Sequence, residues 1–131
     1  MTKVLIGLVA LALLLPVGPF KAIGQEAAKP SLHDLAPDAL ERLRTIGRGY
    51  GASICGASGI STKDEIKPKA WSKIQQSCST FTLGLMDKMA GDPNQLFSLC
   101  IGASLFGCQS AIGILEPCED LKSCQASLGV P

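Results

Sequence analysis

Six cysteines, Cys55, Cys78, Cys100, Cys108, Cys118 and Cys124, constrain what this chain can fold into more than any other feature. Their successive spacings of 23, 22, 8, 10 and 6 residues contain no close pair. Structural zinc sites present ligands roughly two to four residues apart and thiol redox centres use C-x-x-C, so neither chemistry fits. No metal site and no cofactor site is expected. An even number of cysteines behind a leader-like N-terminus instead reads as three disulfides.

The chain opens MTKVLIGLVALALLLPVGPFKAIGQEAAK. Lys3 is positive, Val4–Leu15 carries no charge, Pro16 and Pro19 stop a helix, and Ala22 and Gly24 set small residues before Gln25. This is the build of a cleaved signal peptide over residues 1–24, and it implies secretion to an extracellular or periplasmic space. A membrane anchor fits less well, because the run falls short of the about 20 residues a bilayer requires. Residues 25–36 read as a polar lead-in with little to hold it, and 37–131 as a single six-cysteine helical domain.

Past residue 24, ten Lys and Arg remain (twelve less Lys3 and Lys21) against eleven Asp and Glu. So even a balance leaves no electrostatic footprint for nucleic acid or an anionic bilayer. Basic residues nevertheless gather in one region, and Arg42, Arg44, Arg48, Lys69 and Lys73 form a candidate patch for a polar partner.

The apolar pattern is helical throughout. Pro37 suits a first helical turn, and Leu40, Leu43, Tyr50 and Ile54 follow on one face. Gly47, Gly49 and Gly51 interrupt that helix; without a preceding strand they do not make a phosphate loop, and close helix packing or a kink explains them better. Trp71, Ile74, Cys78, Phe81 and Leu85 make a continuous stripe inside an expected helix over 67–90. Asp92 caps a further helix that begins at Pro93 and is expected to run to about Leu115. Pro117, with Glu119 and Asp120 behind it, opens a last short helix or turn. Nothing alternates like a strand. The expectation is an all-α fold, a small disulfide-stapled bundle of three to four helices.

Antiparallel hairpin geometry suggests which cysteines meet, since partners must lie at equal distances from the turn. Cys100 with Cys124 and Cys108 with Cys118 both centre near Ile112–Gly113, and Cys55 with Cys78 centres near Ile66. The nested pairing 55–78, 100–124, 108–118 follows as the expectation.

Leu96–Leu115 holds twenty residues without a charge, the length of a bilayer span. Gln109, three serines and two cysteines dilute it, and no aromatic or basic anchors flank it, so burial at the centre of a bundle is favoured over membrane insertion. Its small residues Gly102, Ala103, Ser104 and Gly107 would serve a ligand cavity or tight packing equally.

No catalytic residues are expected. The only histidine past residue 24, His33, precedes the helical domain, the acidic pairs Asp64-Glu65 and Glu119-Asp120 point apart on a helix, and bridging leaves no thiol. The chain reads as a non-enzymatic protein. A module that binds another protein, of inhibitor, immunity or effector type, is the first expectation. A carrier of a small apolar ligand and a membrane-inserting protein using residues 96–115 are the alternatives.

Overall fold

The computed structural model describes residues 29–131, and within it Ser31–Pro131 form one compact unit. The expected signal peptide, residues 1–24, lies outside the described residues. The helices are α1 (Pro37–Ala57), α2 (Ile66–Lys69), α3 (Trp71–Leu85), α4 (Pro93–Ala111) and α5 (Leu121–Leu128). Single 3₁₀ turns at Leu32–Asp34 and Lys63–Glu65 precede α1 and α2, and no strand occurs among the described residues. The all-α expectation holds.

Helix starts fall where side-chain chemistry puts them. Pro37 and Pro93 occupy first turns, where a missing N–H costs nothing. The Asp92 carboxylate accepts from Asn94 N at 2.9 Å, and the Asp120 carboxylate from Ser123 N at 2.9 Å, each satisfying an otherwise orphaned donor. On α1, Arg42 reaches Asp38 one turn back at 3.3 Å, an exposed pair that adds little. A capping box of Ser31 and Asp34 closes the first 3₁₀ turn. That turn stands where a loose lead-in was expected, and a Cβ built on Gly91 would lie in ordinary contact with Ser31 Cβ, 3.7 Å away.

Three of the expected helices differ in their bounds, and the last of them begins at Leu121, capped by Asp120, rather than at Pro117. The helix expected over 67–90 is broken at Ala70, whose φ of −125° leaves the helical range, so α2 and α3 are separate and α3 ends at Leu85. The helix expected to reach Leu115 stops at Ala111. There Gly113 takes a φ of +87°, Gly113 N donates to Ser110 O and Ile114 N to Gln109 O, the paired bonds of a Schellman end. An uncharged sequence carries no information about this stop; the glycine does.

The middle of the unit is a three-helix packing of α1, α3 and α4. Trp71, Ile74, Cys78 and Phe81 bury the expected face of α3, and Tyr50 of α1 meets Phe81 edge to face at 6.1 Å. Burying a side chain such as Ile74 stabilises by about 1.5–3 kcal/mol. α1 and α4 run parallel, since Gly47 lies against Cys100 and Ala103, Gly51 against Ser104, and Cys55 against Cys108. Their seam is made of small residues. A Cβ on Gly51 would overlap the Ser104 carbonyl oxygen, and one on Gly107 would overlap that of Arg48. Fully buried Ser104 donates its hydroxyl to Gly47 O at 2.9 Å, fastening the two backbones.

All six cysteines are bridged, as Cys55–Cys108, Cys78–Cys100 and Cys118–Cys124. The nested pairing is therefore replaced. Hairpin symmetry does operate, but on α3 and α4: residues 78 and 100 are equidistant from Met89 in their connection. The parallel contact of α1 with α4 has no hairpin centre, so the symmetry argument misses Cys55–Cys108. That leaves Cys118 to close a short loop with Cys124.

Gln109, buried on α4, holds this last loop in place. Its Nε2 donates to Leu105 O at 2.9 Å and Cys118 O at 3.3 Å, while Cys118 N donates to its Oε1 at 3.2 Å. Replacing it with Leu leaves the Cys118 N–H without that acceptor and should cost about 2 kcal/mol. Urea unfolding of Gln109→Leu under oxidising conditions measures this, and a loss below roughly 0.5 kcal/mol, the range of neutral surface changes, would refute the clip.

Candidate functional site

α4 buries its middle, Cys100–Leu105, against its neighbours, and its exposed positions include the polar residues Asn94, Gln95, Ser98 and Ser110. Leu99, Gly102, Ala103 and Phe106 follow one another at helical spacing and form the floor of an open groove of about 840 Å³. α1 supplies one wall through Arg44 and Arg48; the start of α5 supplies the other through Glu119, Asp120, Leu121, Lys122 and Gln125. Leu32 and His33 of the first 3₁₀ turn lie at the lip with Asn94 and Gln95. From Asn94 to Phe106 the floor runs about 18 Å, at 1.5 Å per helical residue.

Gly102 sets the depth of the far wall. A Cβ there would come 2.9 Å from Glu119 O and 3.1 Å from Asp120 Cα, so only glycine lets the segment before α5 settle onto α4. Asp120 is committed to capping: Ser123 N and Oγ donate to it, and these bonds hold its carboxyl below the usual carboxylate range. Lys122 and Glu119 complete that rim.

The α1 wall is built differently. Arg48 Nη1 donates to Glu41 Oε2 at 2.6 Å, and its guanidinium stands 5.5 Å above the Phe106 ring, so both a carboxylate and an aromatic face fix it. Arg44 approaches the other Glu41 oxygen only to 3.7 Å, an ion pair but not a hydrogen bond. Glu41 is held below the usual carboxylate range, first by the Arg48 hydrogen bond and also by the charge of Arg44.

The five basic residues expected to share a patch do not all share a place. Arg44 and Arg48 line the groove. Arg42 is spent on Asp38, Lys69 on Glu65 at 2.8 Å, and Lys73 lies 3.4 Å from Ser58 Oγ near the end of α1. The Glu65 carboxyl, bonded by Lys69 and by Ser61 and Thr62 N–H, is pulled down to about 2. Of the small residues weighed for a cavity, Gly102 and Ala103 line the groove, whereas Ser104 and Gly107 are consumed by the seam with α1. His33 and the α5 residues were not expected at a site, and no sequence pattern brings them there.

Among the described residues no group of three His, Cys, Asp or Glu is placed to hold a metal ion, and no helix is long and apolar enough to cross a membrane. Three disulfides point to an oxidising, extracellular-type environment. No family model, no curated protein and no solved structure matches this chain.

Proposed function

We propose that this is a secreted, non-catalytic binding protein whose groove over α4 carries a small, largely apolar ligand. One observation carries the reading: an open groove of about 840 Å³ has Leu99, Gly102, Ala103 and Phe106 of α4 as its floor, and Leu99 and Phe106 are only half-buried by their neighbours. The volume of about 840 Å³ falls within the roughly 300–1,000 Å³ of small-molecule sites, and polar groups along the rim would orient the occupant. Three bridges across so small a unit would hold the groove's walls at fixed spacing, which lowers the ordering cost of binding.

A protein-binding module remains the second reading, favoured by the outward apolar side chains of Leu83 on α3 and Met86 just past its end, at 67% and 44% exposure. Two residues do not make a patch large enough to displace the first reading.

The uncharged fluorophore N-phenyl-1-naphthylamine tests the groove without reference to charge. It should bind at one site in the micromolar range, and Ser98→Trp, which sets a bulky ring on the exposed groove lining, should weaken it at least about tenfold while stability changes by less than about 0.5 kcal/mol. Absence of saturable binding, or equal binding by the variant, would overturn the proposal.

A further inference from the structure

Resting on the reading of the groove as a ligand site, we infer that its ligand is an amphiphile with a single anionic head of carboxylate type, seated against Arg44. The charges of the α1 wall do not close among themselves. Two guanidinium groups share one carboxylate, Glu41, so the wall keeps one positive charge in excess. The donors are also unevenly used. Arg48 is bonded to Glu41 and braced over Phe106, while Arg44 donates no hydrogen bond among the described residues. A guanidinium offers five N–H donors in a fork matched to a carboxylate, so Arg44 has both the charge and the geometry to take a second one.

Position agrees with chemistry. Arg44 stands one helical turn from Arg48 on the groove wall, beside the apolar floor of Leu99, Ala103 and Phe106. A ligand whose head meets Arg44 can lay its body along that floor. Glu41 bridges the two arginines from its own side, keeping Arg48 in place and leaving the outer face of Arg44 for the ligand. The far wall offers no equal: Lys122 sits with Glu119 and Asp120, two carboxylates to one ammonium, and would repel an anion there.

Dodecanoate, dodecanol and dodecyltrimethylammonium share one chain length and differ in head, and calorimetric titration of each below its critical micelle concentration decides the matter. Dodecanoate should bind at least tenfold more tightly than the other two. Arg44→Ala and the longer Arg44→Gln should each remove that preference while leaving dodecanol unchanged, and circular dichroism should show both variants folded. Equal binding of all three, or a dodecanoate preference that survives in the Arg44 variants, overturns the anionic head at Arg44 and leaves the groove reading standing. A preference for the ammonium overturns it too and moves the head to Glu119 and Asp120. Binding of none of them, together with no binding of the neutral fluorophore, removes the groove reading itself.

Discussion

Gly51→Ala should destabilise the protein by about 4 kcal/mol or more, whereas Gly49→Ala, two residues away in the same helix, should stabilise it by up to about 1 kcal/mol. The same methyl group meets two different surroundings. At Gly49 nothing lies within 4 Å, so the substitution only removes the excess freedom of glycine in a helix. At Gly51 the new Cβ overlaps the Ser104 carbonyl oxygen and stands 2.9 Å from Ser104 Cα. Both are backbone, so no rotamer change relieves the clash; α1 and α4 must separate. Separation in turn breaks the Ser104 hydroxyl bond to Gly47 O and pulls on Cys55–Cys108. Taken against a total stability of about 5–15 kcal/mol, such a loss threatens folding itself. Thermal unfolding of the two variants with bridges intact is the measurement. Losses of the same sign and size would mean that the seam is looser than its geometry.

The second large effect is expected from removing Cys55–Cys108. In the chain-entropy account a bridge stabilises in proportion to the logarithm of the loop it closes. For separations of 53, 22 and 6 residues that account gives roughly 4, 3.5 and 2.5 kcal/mol. Geometry widens the gap. Cys78–Cys100 and Cys118–Cys124 join segments that short connections already hold close, whereas Cys55–Cys108 is the only covalent tie between α1 and α4. Paired Cys→Ala variants of each bridge, unfolded in urea, should therefore rank in that order. The two single variants Cys55→Ser and Cys108→Ser should lose about equally, because they break one bond. A larger loss from Cys118–Cys124 would contradict the ranking.

Much of the helical frame is legible in the residues. Pro37, Pro93 and Asp92 mark starts by chemistry that acts within a few residues, and the Trp71-to-Leu85 stripe marks a buried face by its period, whereas the last helix starts at Asp120 and not at Pro117. Close packing is correct for Gly47 and Gly51, which abut α4, but not for Gly49, which has nothing within 4 Å. The cysteine pairing was not legible, because it depends on which helices are neighbours, and α1 meets α4 across two intervening helices. The groove was legible only in fragments. Arg44, Arg48, Gly102 and Ala103 were each singled out, but for different purposes, and only the fold sets them on one surface with His33 and Lys122. Lys69 and Lys73 resemble Arg44 in sequence terms, yet α2 and α3 carry them elsewhere.

The parallel seam of α1 with α4 has a consequence for the order in which the chain matures. Made from its N-terminus, the chain presents the thiol of Cys55 well before its partner, 53 residues later, exists. At about 5–20 residues per second the interval is roughly 3–10 s. Cys78 appears within that interval, and the two thiols are then free to join in the very pairing that the sequence suggests. A 55–78 bond would have to be undone by thiol–disulfide exchange before α4 could settle on α1. Oxidation faster than synthesis should therefore favour the 55–78 bond, and in oxidative refolding added disulfide isomerase should raise the yield more than added oxidant.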